Sequence, residues 1–301
     1  MLLTQLHTIH ARHLAALRRS AHTITFYAHA VNQLTQYMTL RGETPDADNV
    51  TRATILGYQE WLREERKLKP GGEHAALRGL RATFRWALEE ELITRDPTVR
   101  MRMPSLPHEQ PPAIQPGEVE LCLRQAKKSR HPLRDTAILY VLYDTGLRRG
   151  ELISLRLEDV DLLSGAITVR AANAKTNRTR RVPLGIKSSR AINQYERRER
   201  HPAVPHIQEL FLTHAGTPMT KDALNFILQS TGERAGLPRS HTAPHAWRRG
   251  FAVGLLRNGA DLFALQTILG HTTLDMTRKY VRYLPDDIQR IHLRASPADR
   301  L

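Results

Sequence analysis

Apolar residues recur at intervals of three and four through the first hundred positions, the spacing of helices with one buried face. The first such stretch, near 4–18, carries Leu6, Ile9, His13, Leu14 and Leu17. The second, 23–39, carries Phe26, Ala30, Val31 and Leu34, and Arg41-Gly42 ends it. The third, 51–67, has Ile55, Tyr58, Trp61 and Leu62. Pro70-Gly71-Gly72 reads as a break, and a fourth stretch, 73–93, has Leu77, Leu80, Phe84 and Leu88. Four amphipathic helices with short breaks predict a helical bundle over 1–103. Residues 104–116 are proline-rich with little to pack, so they read as an extended, semi-rigid connector and a domain boundary.

The second part, 117–301, is mostly helical by the same criterion. Residues 117–135 look helical, and Leu133 to Tyr143 is nearly all apolar, which predicts a buried helix stopped at Thr145-Gly146. The period then shifts from helical to alternating. Ala166 to Arg170 and Thr179 to Leu184 read as two short strands around a polar connection that holds Lys175. Helices return at 187–199 and 220–235. Pro244 suits a first helical position, with Asn258-Gly259 as the stop. Asp261 caps a helix over Leu262, Leu265, Ile268 and Leu269, which Gly270 ends in a left-handed conformation. Thr272 to Asp275 has capping-box spacing for a last helix carrying Tyr280. The tail, 285–301, has Ile288, Ile291 and His292 at helical spacing, a docking helix in outline. The fold class is therefore mainly α with a small β-sheet in the second domain.

Charge adds a partner to this picture. The chain of 301 residues has 45 Lys and Arg against 30 Asp and Glu, with a pI near 10.5. Such an excess favours a polyanion, nucleic acid first. It lies mostly downstream: 15 basic and 11 acidic residues fall in 1–103, against 30 and 19 in 104–301. Cys122 is the single cysteine, which excludes an internal disulfide framework and any paired-cysteine zinc site. No apolar run approaches the ~18 residues of a membrane span, and the start lacks a signal peptide. A cytoplasmic protein with no membrane association is expected.

Taken singly, the polar residues of the second part have ordinary readings: Arg148 a turn arginine, Lys175 a surface lysine, His245 and His271 structural histidines, Tyr280 a core or interface tyrosine. Taken together they form a pattern. Thr145-Gly146-Leu147-Arg148 leads to Glu151-Leu152; Lys175 sits in the strand connection; His245 and Arg248 are three apart; Leu269-Gly270-His271 precedes Tyr280 by nine residues from the histidine. In order and interval this set resembles the motifs of the tyrosine recombinases, also called phage-integrase-type, and the resemblance covers essentially the whole chain. A four-helix N-terminal domain, a linker and a catalytic domain resemble the two-domain Xer-type members. The resemblance implies a SAM-like core-binding domain over 1–103 and a catalytic domain over 117–301.

The chemistry fits those residue types. A phosphodiester is anionic and resists nucleophiles, and two guanidiniums can clamp its non-bridging oxygens and stabilise charge that grows in the transition state. Arg148 and Arg248 are the candidates. A phenol is a weak acid that must lose its proton as it attacks. The resemblance implies that Tyr280 attacks, giving a 3′-phosphotyrosyl intermediate and a 5′-hydroxyl. It further implies Lys175 as general acid, His245 at the tyrosine's proton, His271 on the phosphate and Glu151 as a buttress. Energy is kept in the covalent link, so neither metal nor cofactor is required. Tyr283 is the rival nucleophile, disfavoured by its interval from His271. Arg78, Arg81, Arg85, Arg178, Arg180 and Arg181 are candidate DNA contacts, with a solvated face as the alternative for the first three.

Where the family pattern has a leucine before Arg248 and a small polar residue after it, this chain has Trp247 and Arg249. That departure points to a mobile-element integrase or a divergent Xer-type protein. The first functional expectation is a site-specific recombinase on double-stranded DNA, acting as a tetramer on two paired sites for integration, excision or dimer resolution. The two domains of such an enzyme embrace the duplex as a C-shaped clamp. The alternatives are a type IB topoisomerase-like enzyme, with related chemistry and no partner protomer, and a catalytically inactive protein that only binds its DNA site.

Overall fold

The computed structural model describes residues 1–106, 110–173, 178–283, 292–293 and 296–300. The chain divides into two compact units, Met1–Glu109 and Gln110–Leu301.

The first unit is built from helices α1 (Leu3–Ala16), α2 (Ala21–Leu40), α3 (Arg52–Glu64) and α4 (Pro70–Glu89). Each start has a local cause. The Ser20 hydroxyl accepts from Thr23 N, and the Thr51 hydroxyl from Thr54 N, so orphan N–H groups of α2 and α3 are satisfied by side chains. The expected break at Pro70-Gly71-Gly72 is instead the first turn of α4. Proline at the first helical position has no N–H to lose and a φ already suited to the helix. Leu6, Leu34, Met38, Tyr58, Leu62, Leu77, Leu80 and Phe84 are buried completely and form the core. His10 joins them: its ring stacks on Trp86 at 4.4 Å, and its Nδ1 lies 3.2 Å from the Thr83 hydroxyl. Burial, helped by His13 nearby, pushes its pKa down to about 4.

The second unit is organised around α6 (Pro132–Thr145), whose Ala137, Ile138, Leu139, Val141 and Leu142 are fully buried. Around it pack α5 (Pro116–Ala126), α8 (Ile186–Arg198) and α11 (Pro244–Arg257). The helix expected over 117–135 is thus two, because Pro132 starts a new one after a turn. The short α7 (Arg149–Ile153) leads to an antiparallel sheet in the order β1 (Val160–Asp161), β2 (Ala166–Val169), β3 (Arg180–Pro183). Ile167 pairs with Val182 and Val169 with Arg180. Strand alternation puts Val182 inside and Arg181 outside, and turns Arg180 to the inner face. The two-residue β1 and the one-turn α10 (Arg239–Thr242) are too short to leave a periodic signal.

The remaining elements are α9 (Lys221–Arg234), α12 (Leu262–Leu269) and α13 (Leu274–Val281). Asp261 caps α12, accepting from Phe263 N and Ala264 N at 2.7 and 2.8 Å. The expected capping box at Thr272 does not form; α13 follows Thr273, with no side-chain cap. The connector expectation also needs correction at its downstream end. Ala113 and Ile114 are buried, Ile114 N donates to Ala246 O, and Pro112 O accepts from Arg249 Nε at 2.8 Å. Residues 110–115 belong to the second unit because backbone carbonyls, prolines' included, remain acceptors even where apolar side chains are few. The expected tail helix at Ile288 and Ile291 lies outside the described residues.

Candidate active site

The site begins at a turn. Helix α6 ends at Gly146, whose φ of 59° is left-handed, and a Cβ there would stand 2.3 Å from Phe251 Cδ1. Only glycine meets both conditions. The turn frees the Gly146 carbonyl and sets Arg148 immediately before α7.

Glu151, in the first turn of α7, reaches back to Arg148 twice. Its Oε2 accepts from Arg148 N at 2.8 Å and its Oε1 from Arg148 Nη1 at 2.9 Å. Arg180 supplies two more bonds from β3, Nη1 to Oε1 at 3.0 Å and Nη2 to Oε2 at 2.7 Å. Its Nε donates to Ile268 O at 2.9 Å, so the same guanidinium also holds the end of α12. Glu151 is only 2 % exposed. Burial alone would raise its pKa, but the bonds and charges of Arg180 and Arg148 outweigh that and hold the carboxyl below its ordinary value.

Arg248 comes from the second turn of α11 and is 5 % exposed. Its Nη1 donates to Gly146 O at 2.6 Å; its Nη2 donates to Leu269 O at 2.9 Å and to His271 Nε2 at 3.0 Å. Burial and the neighbouring Arg148 lower its pKa to about 10, so it remains a cation at neutral pH. His271, just past α12, has its other nitrogen 2.9 Å from the Thr277 hydroxyl on α13. Burial first, then Arg248 and two further arginines, push His271 down to about 4. The Tyr280 ring lies nearly parallel to the His271 ring, 10° between planes and 6.1 Å between centroids. Its hydroxyl has no hydrogen bond among the described residues.

His245 sits in the first turn of α11 with its side chain exposed at the mouth of the site. Packing on its inner side lowers its pKa, and Arg249, Arg248, Arg149 and Arg148 act in the same direction. The site is thus a concentration of fixed positive charge with Glu151 as a buried counter-ion. Such a grouping fits a phosphoryl group, whose charge would be met by donors already oriented. No helix among the described residues is long and apolar enough to cross a membrane.

Two family models match this chain, one described as the phage integrase family over residues 113–286 and one as the phage integrase SAM-like domain over 5–102. The chain belongs to the phage integrase family of tyrosine recombinases. It is 31 % identical to the tyrosine recombinase XerD of Halalkalibacterium halodurans over 282 residues, 92 % of each chain. It is 32 % identical to the tyrosine recombinase XerC 2 of Ralstonia nicotianae, over 99 % of this chain and 87 % of that one. In fold it is similar to the Tn1549 transposon integrase in complex with a circular intermediate DNA, with a TM-score of 0.79 and 23 % identity. That likeness spans 93 % of this chain and 95 % of the other. It is a site-specific recombinase, and the topoisomerase-like and inactive alternatives are not favoured.

Within the recombinase, Arg148, Glu151, Arg248, His271 and Tyr280 come together, with His245 at the rim. Lys175 lies outside the described residues. The candidate DNA contacts divide. Arg178 is exposed, and Arg181 is exposed and paired with Asp161 at 3.2 Å. Arg180, expected to face DNA, is instead an internal tie, because it falls on the buried side of β3. In the first unit Arg78 lies over the Phe26 ring, Arg81 donates to Met101 O, and Arg85 pairs with Glu89 at 2.9 Å. Thr277 was not anticipated from sequence. Its signal is its place six residues after His271 and three before Tyr280, one turn from the tyrosine on the same helix.

Proposed function

We propose that this recombinase cleaves and rejoins DNA strands with Tyr280 as nucleophile. Tyr280 Oη attacks the scissile phosphorus, forming a 3′-phosphotyrosyl bond, and the O5′ of the next nucleotide leaves. The phenolic proton passes to His245, which its surroundings keep neutral near pH 7 and able to accept it. The departing oxygen takes a proton from Lys175, assigned on its place between β2 and β3. Arg148 and Arg248 stabilise the phosphorane charge; losing either would cost about 3–4 kcal/mol of transition-state stabilisation, as for one oxyanion-hole donor. Glu151 fixes Arg148. Attack by a second strand's 5′-hydroxyl reverses the step, with no metal, cofactor or nucleotide consumed. Exchange between two duplexes calls for a tetramer on paired double-stranded sites in the cytoplasm, serving DNA integration, excision or dimer resolution.

The observation that carries the choice of nucleophile is the parallel packing of Tyr280 on His271, itself bonded to Arg248. Tyr283 is otherwise engaged: its hydroxyl donates to Pro111 O at 2.6 Å. The test is a nicked suicide duplex, carrying a site selected by the protein's own binding, incubated in chelator and run on a denaturing gel. Wild type and Tyr283→Phe should each give a covalent protein–DNA band that Tyr280→Phe lacks. A band that persists with Tyr280→Phe would overturn the assignment.

A further inference from the structure

The helix that bears Tyr280 has little of its own to hold it. Helix α13 is eight residues long, its start has no side-chain cap, and Thr277 is its one buried side chain among the described residues. So short a helix is marginal unless other parts of the molecule engage it. Tyr280 stands in the last turn, so the exit of the helix sets where its hydroxyl lies. The last carbonyls of a helix have no partner within it. Here Arg282 O accepts from Gln110 Nε2 at 3.1 Å, and Tyr283 O accepts from Arg257 Nη2 at 3.4 Å. The Tyr283 hydroxyl donates to Pro111 O at 2.6 Å. Burial raises the pKa of that phenol, so it keeps the proton it donates.

Two of these three partners, Gln110 and Pro111, belong to one segment, 110–115, immediately ahead of α5. Pro111 and Pro112 fix φ and have no N–H, and the segment makes no helix of its own. Its carbonyls therefore stay open to partners elsewhere in the chain. The segment is pinned in turn on α11. Pro112 O accepts from Arg249 Nε at 2.8 Å, Ile114 N donates to Ala246 O at 3.2 Å, and Gln115 Oε1 accepts from Arg257 Nη1 at 3.3 Å. Helix α11 is the one that carries His245 and Arg248. Segment 110–115 thus bridges that helix and the exit of the helix that carries Tyr280. One pin is Arg249, which stands where the family pattern has a small polar residue, so the bridge uses a side chain in which this chain departs from the pattern.

We propose that segment 110–115 is a rail that seats the tyrosine-bearing helix on α11, with Tyr283 and Gln110 as positioning residues for Tyr280. This rests on Tyr280 as the nucleophile and deepens that reading. The second tyrosine, a rival by residue type, is the tether that fixes the reach of the first. The connector between the two units thus ends as part of the frame of the reaction site. A packing role would be met by a ring of the same shape; the tether needs the hydroxyl.

The test follows single-turnover cleavage of the suicide duplex, at saturating protein, by wild type, Tyr283→Phe, Gln110→Ala and the double variant. Tyr283→Phe should slow cleavage by about 10- to 100-fold, the effect of about an ångström of misplacement at a reacting atom, with the covalent band still formed at long times. Gln110→Ala should slow it by about 3- to 10-fold, the scale of one hydrogen bond. The double variant should be little slower than Tyr283→Phe, because both bonds hold the same end of α13. Duplex affinity and thermal melting should be those of wild type throughout. Protein made with 3-fluorotyrosine reads the seating directly. The Tyr280 fluorine resonance, assigned by its loss in Tyr280→Phe, should be a single sharp line in wild type and broadened or doubled in Tyr283→Phe. Wild-type cleavage by Tyr283→Phe, weaker duplex binding as the sole change, or an unchanged Tyr280 resonance in Tyr283→Phe would each overturn the proposal. If Tyr283→Phe melted early, Gln110→Ala, at an exposed position, would decide by the same rate and resonance. A covalent band with Tyr280→Phe would defeat the choice of nucleophile instead, and the fluorine spectra would still decide whether the segment seats α13.

Discussion

Replacing Arg180 by methionine probes the counter-ion arrangement. The side chain is nearly the same length, mostly buried at 9 % exposure, and makes two of the four hydrogen bonds to Glu151. Removing one partner of a buried ion pair costs about 3–5 kcal/mol, since the other charge stays behind without its solvation or its mate. Here Glu151 keeps the backbone and guanidinium bonds from Arg148. The low end, about 3 kcal/mol, is therefore expected at pH 7. For a folding unit of this size 1 kcal/mol moves the melting temperature by about 2–4 °C, so the second unit should melt about 6–12 °C lower.

The pH dependence has a definite sign. In wild type the folded pKa of Glu151 is depressed, so its contribution is present above the ordinary carboxylate pKa and is lost as pH falls through the folded value. Without Arg180 the burial effect gains weight, the folded pKa rises, and stability declines as pH climbs past it. The gap between the two proteins should be widest near neutrality and narrow toward pH 4. Circular-dichroism melts at pH 7.5 and 5 measure it directly. Pairing the change with Glu151→Gln should restore part of the loss, because the stranded charge is then gone. A single variant melting within 2 °C of wild type, or a double variant no better than the single, would refute the counter-ion reading.

Three further outcomes follow from other parts of the molecule. Gly146→Ala should lose about 2–5 kcal/mol, combining a left-handed backbone cost of ~1–2 with ~1–3 for overpacking against Phe251; a urea midpoint like wild type would show that the turn can relax. The first unit should lose stability as pH drops below the ordinary histidine range, because the unfolded chain protonates His10 while the fold, with a pKa of about 4, resists it. The loss should be about 2 kcal/mol between pH 7.5 and 5, read by tryptophan fluorescence in urea, and His10→Phe should abolish it. Arg178→Ala should weaken binding to all duplexes alike and reduce the salt slope by about one, whereas a sequence-selective loss in a binding titration would show base contact.

The bundle and α6 were legible because long helices repeat their apolar period several times. The candidate site was legible because the two arginines, the histidine and the tyrosine that the fold brings together stand at recognisable intervals in the chain. What escaped was direction. Arg178, Arg180 and Arg181 look alike in sequence, yet the pleat of a four-residue strand turns the middle one inward to a carboxylate 29 positions earlier. Thr277 looked like one more helix residue, because nothing local tells which buried hydroxyl faces a ring brought in by another helix. Prolines at 70 and 111–112 misled in opposite ways, one opening a helix and the others lending carbonyls to a neighbouring unit.

The stretch from Pro111 to Ile114 bears on how this protein could be cut. Pro111 and Pro112 accept from Tyr283 and Arg249, and Ile114 is seated so closely on α11 that a Cβ at Gly250 would come within 2.5 Å of its carbonyl oxygen. A catalytic fragment begun at residue 117, where the helical pattern resumes, would lack all three supports next to the histidine, the arginine and the tyrosine. Begun at residue 110, it would keep them. The seam between the two units is therefore seven residues upstream of where periodicity alone would place the scissors, and a protease that finds that seam should leave an active-site half that still folds.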